Sequence, residues 1–490
     1  MTTTADERRV TEAAPTGLFI GGAWRSAQNG ATTKVEDPAT GEVLAEVADA
    51  SPADGMDALD AAQAAQPVIA AMPPRERSEI LYRAYRLLHE RADDLAMLMT
   101  LEMGKPLAEA RGEVVYASEF LRWFAEEAVR IDGGYQVAPN GQTRFLTIRE
   151  PVGVCVFVTP WNFPLAMGTR KIAPAIAAGC ASIIKPAPQT PLTMLAFAQV
   201  LADAGLPDGA LNVITATDAG GVMEPIIRDG RARKISFTGS TPVGKKLLAQ
   251  AADKVLRSSL ELGGNASFIV LDDADVDAAI EGAMIAKMRN MGEACTAANR
   301  FYVQRGVADE FARKLADRMG ALKVGRGTEE GVNVGPLIDA KGRDKVVDLV
   351  ADAVANGAGV ALGGEPQDGP GYFYPPTVLT DVPENSRLNH EEIFGPVAPI
   401  TVVDSADQAL AAANATEFGL VNYVYTRDLN QALRIAENLQ SGMIGLNTGL
   451  VSNPAAPFGG VKESGLGREG GMVGIDEFLE TKYVAIGFSG

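Results

Sequence analysis

Histidine and cysteine are almost absent from this chain: 490 residues contain two of the first and three of the second. So few histidines rule out most His-based metal centres, and a Ser–His or Cys–His machine would have to use one of the two. His89 falls in the amphipathic run EILYRAYRLLHERADDLAMLM, a packing or surface position, and His390 lies among acids in NHEEIFG. The base serving any nucleophile is therefore expected to be a carboxylate, and no metal site is expected. An odd number of cysteines without framework spacing reads as free thiols in a reducing cytoplasm. Basic charge is also in deficit. With 44 Lys and Arg against 62 Asp and Glu, the net charge is −18, which argues against a nucleic-acid backbone or an anionic membrane as partner. No apolar run reaches the length of a bilayer span, and the opening MTTTADERRVTEAAP lacks the apolar core of a secretory leader.

What is present is enough apolar residue for more than one core, so two or three lobes are expected at this length. Residues 18–50 read as short strands and a hairpin, and Pro52 to about Arg130 as Ala-rich helix. After the break at Gly133–Gly134, TRFLTIRE alternates like an exposed strand. From Pro151 strands and helices alternate, the signature of a parallel sheet with crossover helices. Its strands are VGVCVFVTP, CASIIKP, ALNVIT and RKISFTG, and SSLELGG follows. The helix after Pro164 is expected to bend or end at Pro174. A lobe boundary is placed near Gly263–Gly264, before SFIVLDD and a second run of helices and strands. The last strand, EFLETKYVAIGF, has no local partner and is expected to pair with TRFLTIRE, of this subunit or another.

The stretch MRNMGEACTAANR, residues 288–300, carries the chemistry. Cys295 stands among small residues that leave its thiol accessible, whereas Cys155 and Cys180 are embedded in apolar runs. A buried inert thiol remains the alternative. Two stretches resemble phosphate sites. GLGREG, 465–470, fits the dinucleotide fingerprint but does not follow a strand. GSTPVGKK, from Gly239, follows a strand and opens a helix like a P-loop, and FIVLDD imitates a magnesium-binding strand end. However, Lys246 stands where the metal-ligating hydroxyl belongs. The same residues without a metal also suit a pyrophosphate: Gly239 and Ser240 offer free N–H groups, Ser240 or Thr241 caps the helix, and Gly244 permits close packing. A merely well-capped helix is a third reading.

In combination, TPWNFP (159–164), KPAPQTP (185–191), FTGSTPVG (237–244), ELGGN (261–265), GEAC ending at Cys295, EEIFGPV (391–397) and PFGGVKESGLGRE (457–469) resemble the aldehyde dehydrogenase superfamily over nearly the whole chain. The resemblance implies an α/β fold of three parts. These are a Rossmann-like cofactor lobe (1–130, 150–262 and 453–470), an α/β catalytic lobe (263–452) and a small β oligomerisation flap (131–149 and 471–490). It implies a homodimer or homotetramer that uses NADP or NAD. By this resemblance Cys295 attacks the aldehyde carbon, and Asn162 and the Cys295 N–H stabilise the oxyanion. Hydride loss then leaves a thioester, and Glu261 activates water to hydrolyse it. Relatives that pass the acyl group to CoA generally lack this Glu, so a free acid is expected. From the residues alone, Asn162 reads equally as a helix cap and Glu261 as a surface acid. Lys185 resembles the lysine on the adenosine ribose, Glu392 and Phe394 resemble the pair at the nicotinamide end, and Trp161 lines the pocket or simply packs. Pro188 occupies a position that often separates the two cofactors. Being neutral it does not repel a phosphate, which favours NADP.

Within the superfamily the match is nearest to succinate-semialdehyde dehydrogenases, on WNFPLAMGTRK with Arg170, KMRNMGEAC with Arg289 and NTGLVSNPAAPFGG with Ser452. There two arginines and a serine hold the far carboxylate of the substrate, as a two-pronged cation and a hydroxyl should. In isolation either arginine reads as a salt-bridged surface residue. Ala297 replaces a second cysteine found in some relatives, so a local redox switch is not expected. Glu293 and Ala294 stand where Gln and Thr are commoner. Glutarate semialdehyde is the nearest competing substrate, since one methylene changes binding by about 1–3 kcal/mol. A broad-range aldehyde dehydrogenase comes next. A P-loop NTPase and a non-catalytic protein on the same fold are the alternatives from other classes.

Overall fold

The computed structural model describes residues 4–487. Five parallel strands form the middle of the first sheet: Arg257–Glu261, Ala232–Thr238, Val154–Val158, Ser182–Lys185 and Leu211–Val213. The hairpin of Leu18–Ile20 and Ala23–Arg25 closes one edge and Gly465–Leu466 the other, both antiparallel. The middle strands are apolar on both faces, and Val154, Cys155, Ile183 and Ile184 are essentially inaccessible. This is the pattern of strands covered by helices on both sides.

Residues 52–130 supply part of that cover as four helices, Pro52–Ala71, Pro74–Glu90, Ala92–Met103 and Leu107–Glu127, followed by a short 3₁₀ turn. The helix Ala166–Ala178 does not end at Pro174 but continues to Gly179, which takes the left-handed region. Proline there removes one helical hydrogen bond, and every residue of the helix is buried, so packing holds it in place.

The chain leaves the first sheet at Glu261 and enters the second at Ala266. That sheet runs Thr377–Thr380, Val397–Val403, Ala298–Gln304, Ala266–Val270, Val421–Tyr425 and Met443–Leu446, all parallel, with Gly359–Leu362 antiparallel at the edge. A third sheet stands apart. In it Leu479–Gly487 pairs with Thr143–Pro151, which pairs with Gly134–Val137. The expected pairing of EFLETKYVAIGF with TRFLTIRE therefore forms within one chain and not between subunits; Phe488 lies outside the described residues. This sheet leaves Tyr135, Val137 and Tyr483 largely exposed.

The polar N-terminal stretch forms a helix that the sequence reading did not anticipate, Ala5–Ala13, started by a Thr4–Glu7 capping box. Glu7 is buried on Arg326 of the second half, which also holds Asp37 at 2.7 Å. Removing one partner of a buried ionic cluster is more costly than removing all of it. Arg326→Met should therefore destabilise the protein by about 3–5 kcal/mol, read as an earlier unfolding onset in urea. An unchanged onset would show that the cluster contributes no net stability.

Candidate active site

The sheets meet end to end. From Val154–Val158 the first sheet grows outward through Ser182–Lys185 and Leu211–Val213, then restarts on the other side at Ala232–Thr238. The ends of Val154–Val158 and Ala232–Thr238 thus flank the switch point where open α/β sheets bind ligands. TPWNF follows one of these strands and GS the other. The second sheet presents the N-terminal ends of its strands to the same place. Gly263–Gly264 precede Ala266, Cys295 precedes Ala298, and Glu392 and Phe394 precede Val397.

Between them lies a cavity of about 500 Å³ lined by Trp161, Asn162, Gly239, Ser240, Glu293, Cys295, Glu392 and Phe394, among others. Trp161 and Phe394 meet edge to face, 5.4 Å between centroids, and Phe394 adopts a left-handed φ of 57° to turn its ring inward. Burial pushes the Glu392 carboxyl up to about 7, although the Gly264 N–H donates to it at 3.2 Å and Lys345 and Lys287 oppose the shift. A Cβ on Gly263 would stand 3.3 Å from that carboxylate. The backbone is therefore bare where a flat ring and a ribose would pass, and the cleft fits the nicotinamide end of a dinucleotide.

The phosphate signal requires correction in its details. The Gly239 N–H is not free: it donates to the Glu261 carbonyl at 3.0 Å. Ser240 occupies the N-cap position of Thr241–Ala252 without a side-chain capping bond, and Thr241 donates to the Glu463 carbonyl instead. Gly244 does permit close packing, since a Cβ there would stand 2.4 Å from Leu262. FIVLDD belongs to the other sheet, where Asp273 takes the Thr426 hydroxyl and the N–H groups of Arg427 and Asp428. It faces no P-loop. Lys185 and Pro188 do not line the cleft; the Lys185 ammonium donates to the Pro186 carbonyl at 2.8 Å and burial lowers it to about 8.

Asn162 does not cap a helix, since Leu165 holds that position before Ala166–Ala178. Its amide donates to the Glu293 carbonyl at 3.0 Å, which leaves its second N–H uncommitted. Asn290 and Met291 both take left-handed φ of 54°, which reverses the chain between Arg289 and Cys295. Asn290 tolerates this conformation better than Met291 does. The turn is tied down by bonds from Asn290 to Glu109 (2.6 Å), the Asn162 carbonyl (2.9 Å) and the Glu293 carbonyl (2.9 Å). The carboxyl of Glu293 accepts the Ile338 N–H at 3.1 Å, and burial raises it well above the usual range.

Burial pushes the Cys295 thiol up to about 12, with Arg170 and Arg289 pulling down and Glu261 and Glu392 pushing up. Glu261, whose charge is felt at the thiol, is 4% exposed at the end of its strand. Burial and the neighbouring Glu469 raise its carboxyl, against the pull of Arg170, Lys171 and Arg468. Glu469, from the stretch GLGRE, is held ionised by Arg170 at 2.8 Å and by Lys171.

A second cavity of about 680 Å³ opens on the other side of Phe163 and contains Arg289, Ser452 and Tyr116. Arg289 donates to the Ser452 hydroxyl at 3.2 Å and stacks 4.9 Å from the Phe163 centroid. Ser452 also faces the Tyr116 phenol, which feels the charges of Arg170 and Arg289. Arg170 does not join this pair. It is 2% exposed, stacked 4.0 Å from the Phe458 centroid and bound to Glu469. The residues that sequence reasoning missed are Tyr116, Glu469, and the acids Glu109 and Glu113. Glu109, Glu113 and Tyr116 repeat at four and three residues along one helix, but Arg111, Glu119 and Arg122 on the same helix make these acids look like part of a solvated face in the sequence.

The family model described as "Aldehyde dehydrogenase family" matches residues 24–484. The chain belongs to the aldehyde dehydrogenase family. A succinate-semialdehyde dehydrogenase of Paenarthrobacter nicotinovorans is 58% identical, over 91% of this chain and 99% of that protein. A glutarate-semialdehyde dehydrogenase of Pseudomonas aeruginosa is 50% identical, over 96% of this chain and 97% of that one. The crystal structure of an Escherichia coli NADP-dependent enzyme superposes with a TM-score of 0.96 at 47% identity, covering 98% of this chain and 99% of that one. This aldehyde dehydrogenase is accordingly an NAD(P)-dependent oxidoreductase. No helix among its described residues is long and apolar enough to cross a membrane.

Because burial keeps the Cys295 thiol neutral in the free enzyme, its alkylation by iodoacetamide should accelerate about tenfold per pH unit up to about pH 10. A plateau near neutral pH would show a preformed thiolate and contradict the burial argument.

Proposed function

We propose that this enzyme oxidises succinate semialdehyde to succinate through a thioester on Cys295. The observation that carries the reading is the convergence of Arg289 and Ser452 in one cavity, with the Arg289 charge felt at the Cys295 thiol. A guanidinium and a hydroxyl there give a small substrate's distal carboxylate a charge and directed donors. Arg170 adds its field, which reaches Tyr116 and Cys295, without offering the fork that its sequence position suggested. Glutarate semialdehyde is the competing substrate because the second cavity is roomy, and the 50% identical relative carries that name.

The ionised form of Glu261 takes the Cys295 thiol proton and passes it to solvent, and the sulfur attacks the aldehyde carbon. The free N–H of Asn162 and the Cys295 N–H donate to the oxyanion, and losing one such donor costs about 100- to 1000-fold in rate. NAD(P), when bound, supplies the hydride acceptor. Trp161 and Phe394 would wall its ring and Glu392 would accept from the ribose. Lys185 and Pro188 lie outside this cleft and would meet the cofactor only at its adenosine end; Pro188 is neutral and would not repel a 2′-phosphate, which favours NADP. The helix start at Ser240 would receive the pyrophosphate by its dipole. Glu261 then takes a proton from the water that attacks the thioester. Its raised affinity for protons suits a base near neutral pH.

The three sheets are taken as cofactor lobe, catalytic lobe and flap. The exposed flap strand is read as the contact of a homodimer or homotetramer, and the three free thiols suit a reducing cytoplasm.

Arg289→Ala should raise KM for succinate semialdehyde about 10- to 100-fold, the worth of hydrogen bonds to a charged group. KM for an uncharged aldehyde of the same length should barely move. Equal losses on both substrates would contradict the carboxylate assignment. Glu261→Gln should cut steady-state turnover about 100- to 10,000-fold while stopped-flow still shows one equivalent of reduced cofactor per site. Loss of that first turnover would remove Glu261 from the hydrolysis step.

A further inference from the structure

Lys105 and Glu113 form an ion pair between the two cavities that none of the roles above uses. Both side chains are 1% exposed, with Nζ 2.5 Å from Oε2. Lys105 borders the second cavity and resembles a cation for the substrate. However, its three N–H groups already have acceptors. One meets Glu113, one donates to the Asn162 carbonyl at 2.8 Å, and the face of Phe163 lies 4.3 Å away. The other oxygen of Glu113 accepts the N–H groups of Leu165 and Ala166, at 3.0 and 3.1 Å, where the buried helix begins. One carboxylate therefore anchors both sides of the Asn162 turn. The Asn162 carbonyl takes a second bond from Asn290, whose amide also holds the Glu293 carbonyl, two residues before Cys295.

We propose that the Lys105–Glu113 pair positions Asn162, fixing its peptide so that the free amide N–H points at the oxyanion formed on Cys295. The proposal rests on the reading of Asn162 as an oxyanion donor. Lys105 and Glu113 touch neither substrate nor sulfur in this account; they act through Asn162. A positioning residue should lower kcat without weakening aldehyde binding, and its loss should vanish once Asn162 has no amide to position.

The test is a double-mutant cycle on kcat and KM with Lys105→Met and Asn162→Ala. Lys105→Met should lower kcat about 10- to 100-fold, the cost of misplacing a group by about an ångström, with KM for the aldehyde unchanged. In the Asn162→Ala background the same substitution should have almost no further effect, because residues acting as one unit are non-additive. If the two losses multiply, Lys105 does not act through Asn162 and the inference is overturned while the oxyanion reading stands. If Asn162→Ala alone retains parental kcat, the oxyanion reading falls and this one with it. Lys105→Met leaves Glu113 buried without its cation, so Lys105→Met/Glu113→Gln, which removes both charges, is measured beside it. The paired variant should unfold at the parental temperature and still show the kcat loss. Parental kcat in that variant would overturn the proposal.

Discussion

Ionisable side chains are concentrated, and buried, in the seam between the two sheets. Burial favours whichever form of a side chain is uncharged. Cys295, Glu261, Glu293 and Glu392 are all shifted toward their protonated forms for this reason. Three buried cations there lie on buried acids, Lys105 on Glu113 and Arg170 and Lys171 on Glu469. The resting site therefore stores its reactivity in neutral form. Only an ionised carboxylate can take the thiol proton, so attack draws on the fraction of Glu261 that is charged; that transfer relocates one charge inside the seam without creating a second, which is less costly than ionising the thiol alone.

Holding these groups requires backbone that is not relaxed. Asn290, Met291 and Phe394 all sit in the left-handed region without being glycine, and each marks a place where the chain must turn a side chain into the seam. Such conformations cost about 1–3 kcal/mol each, and hydrogen bonds from Asn290 to Glu109, Asn162 and Glu293 offset part of that. The turn also divides the labour. Arg289 looks into the cavity with Ser452, and Cys295, six residues later, looks into the cleft with Glu392 and Phe394.

Much of this was legible in the sequence because the strands are short apolar runs followed at once by glycine or proline. VGVCVFVTP and RKISFTG each announce a buried parallel strand and a loop at its end, and those loops carry Asn162 and Gly239. The position of Cys295 was readable from the small residues around it. Other features depended on distant partners. Pro174 stays helical because of its surroundings, and the Gly239 N–H is taken by a neighbouring strand that spacing does not reveal. Arg170 and Arg289 look alike in sequence, yet only one escapes a buried acid, because Glu469 lies 299 residues away from Arg170. Glu113 and Glu109 were hidden within a helical pattern that reads as solvent-exposed wherever acids occur.

The central claim is that one sulfur carries the acyl group between oxidation and hydrolysis. The direct measurement is peptide mapping by mass spectrometry of enzyme acid-quenched during turnover of succinate semialdehyde with NADP. The account predicts a succinyl thioester on the peptide containing Cys295 and unmodified Cys155 and Cys180. Steady production of succinate with no acyl group on Cys295 at any quench time would contradict it.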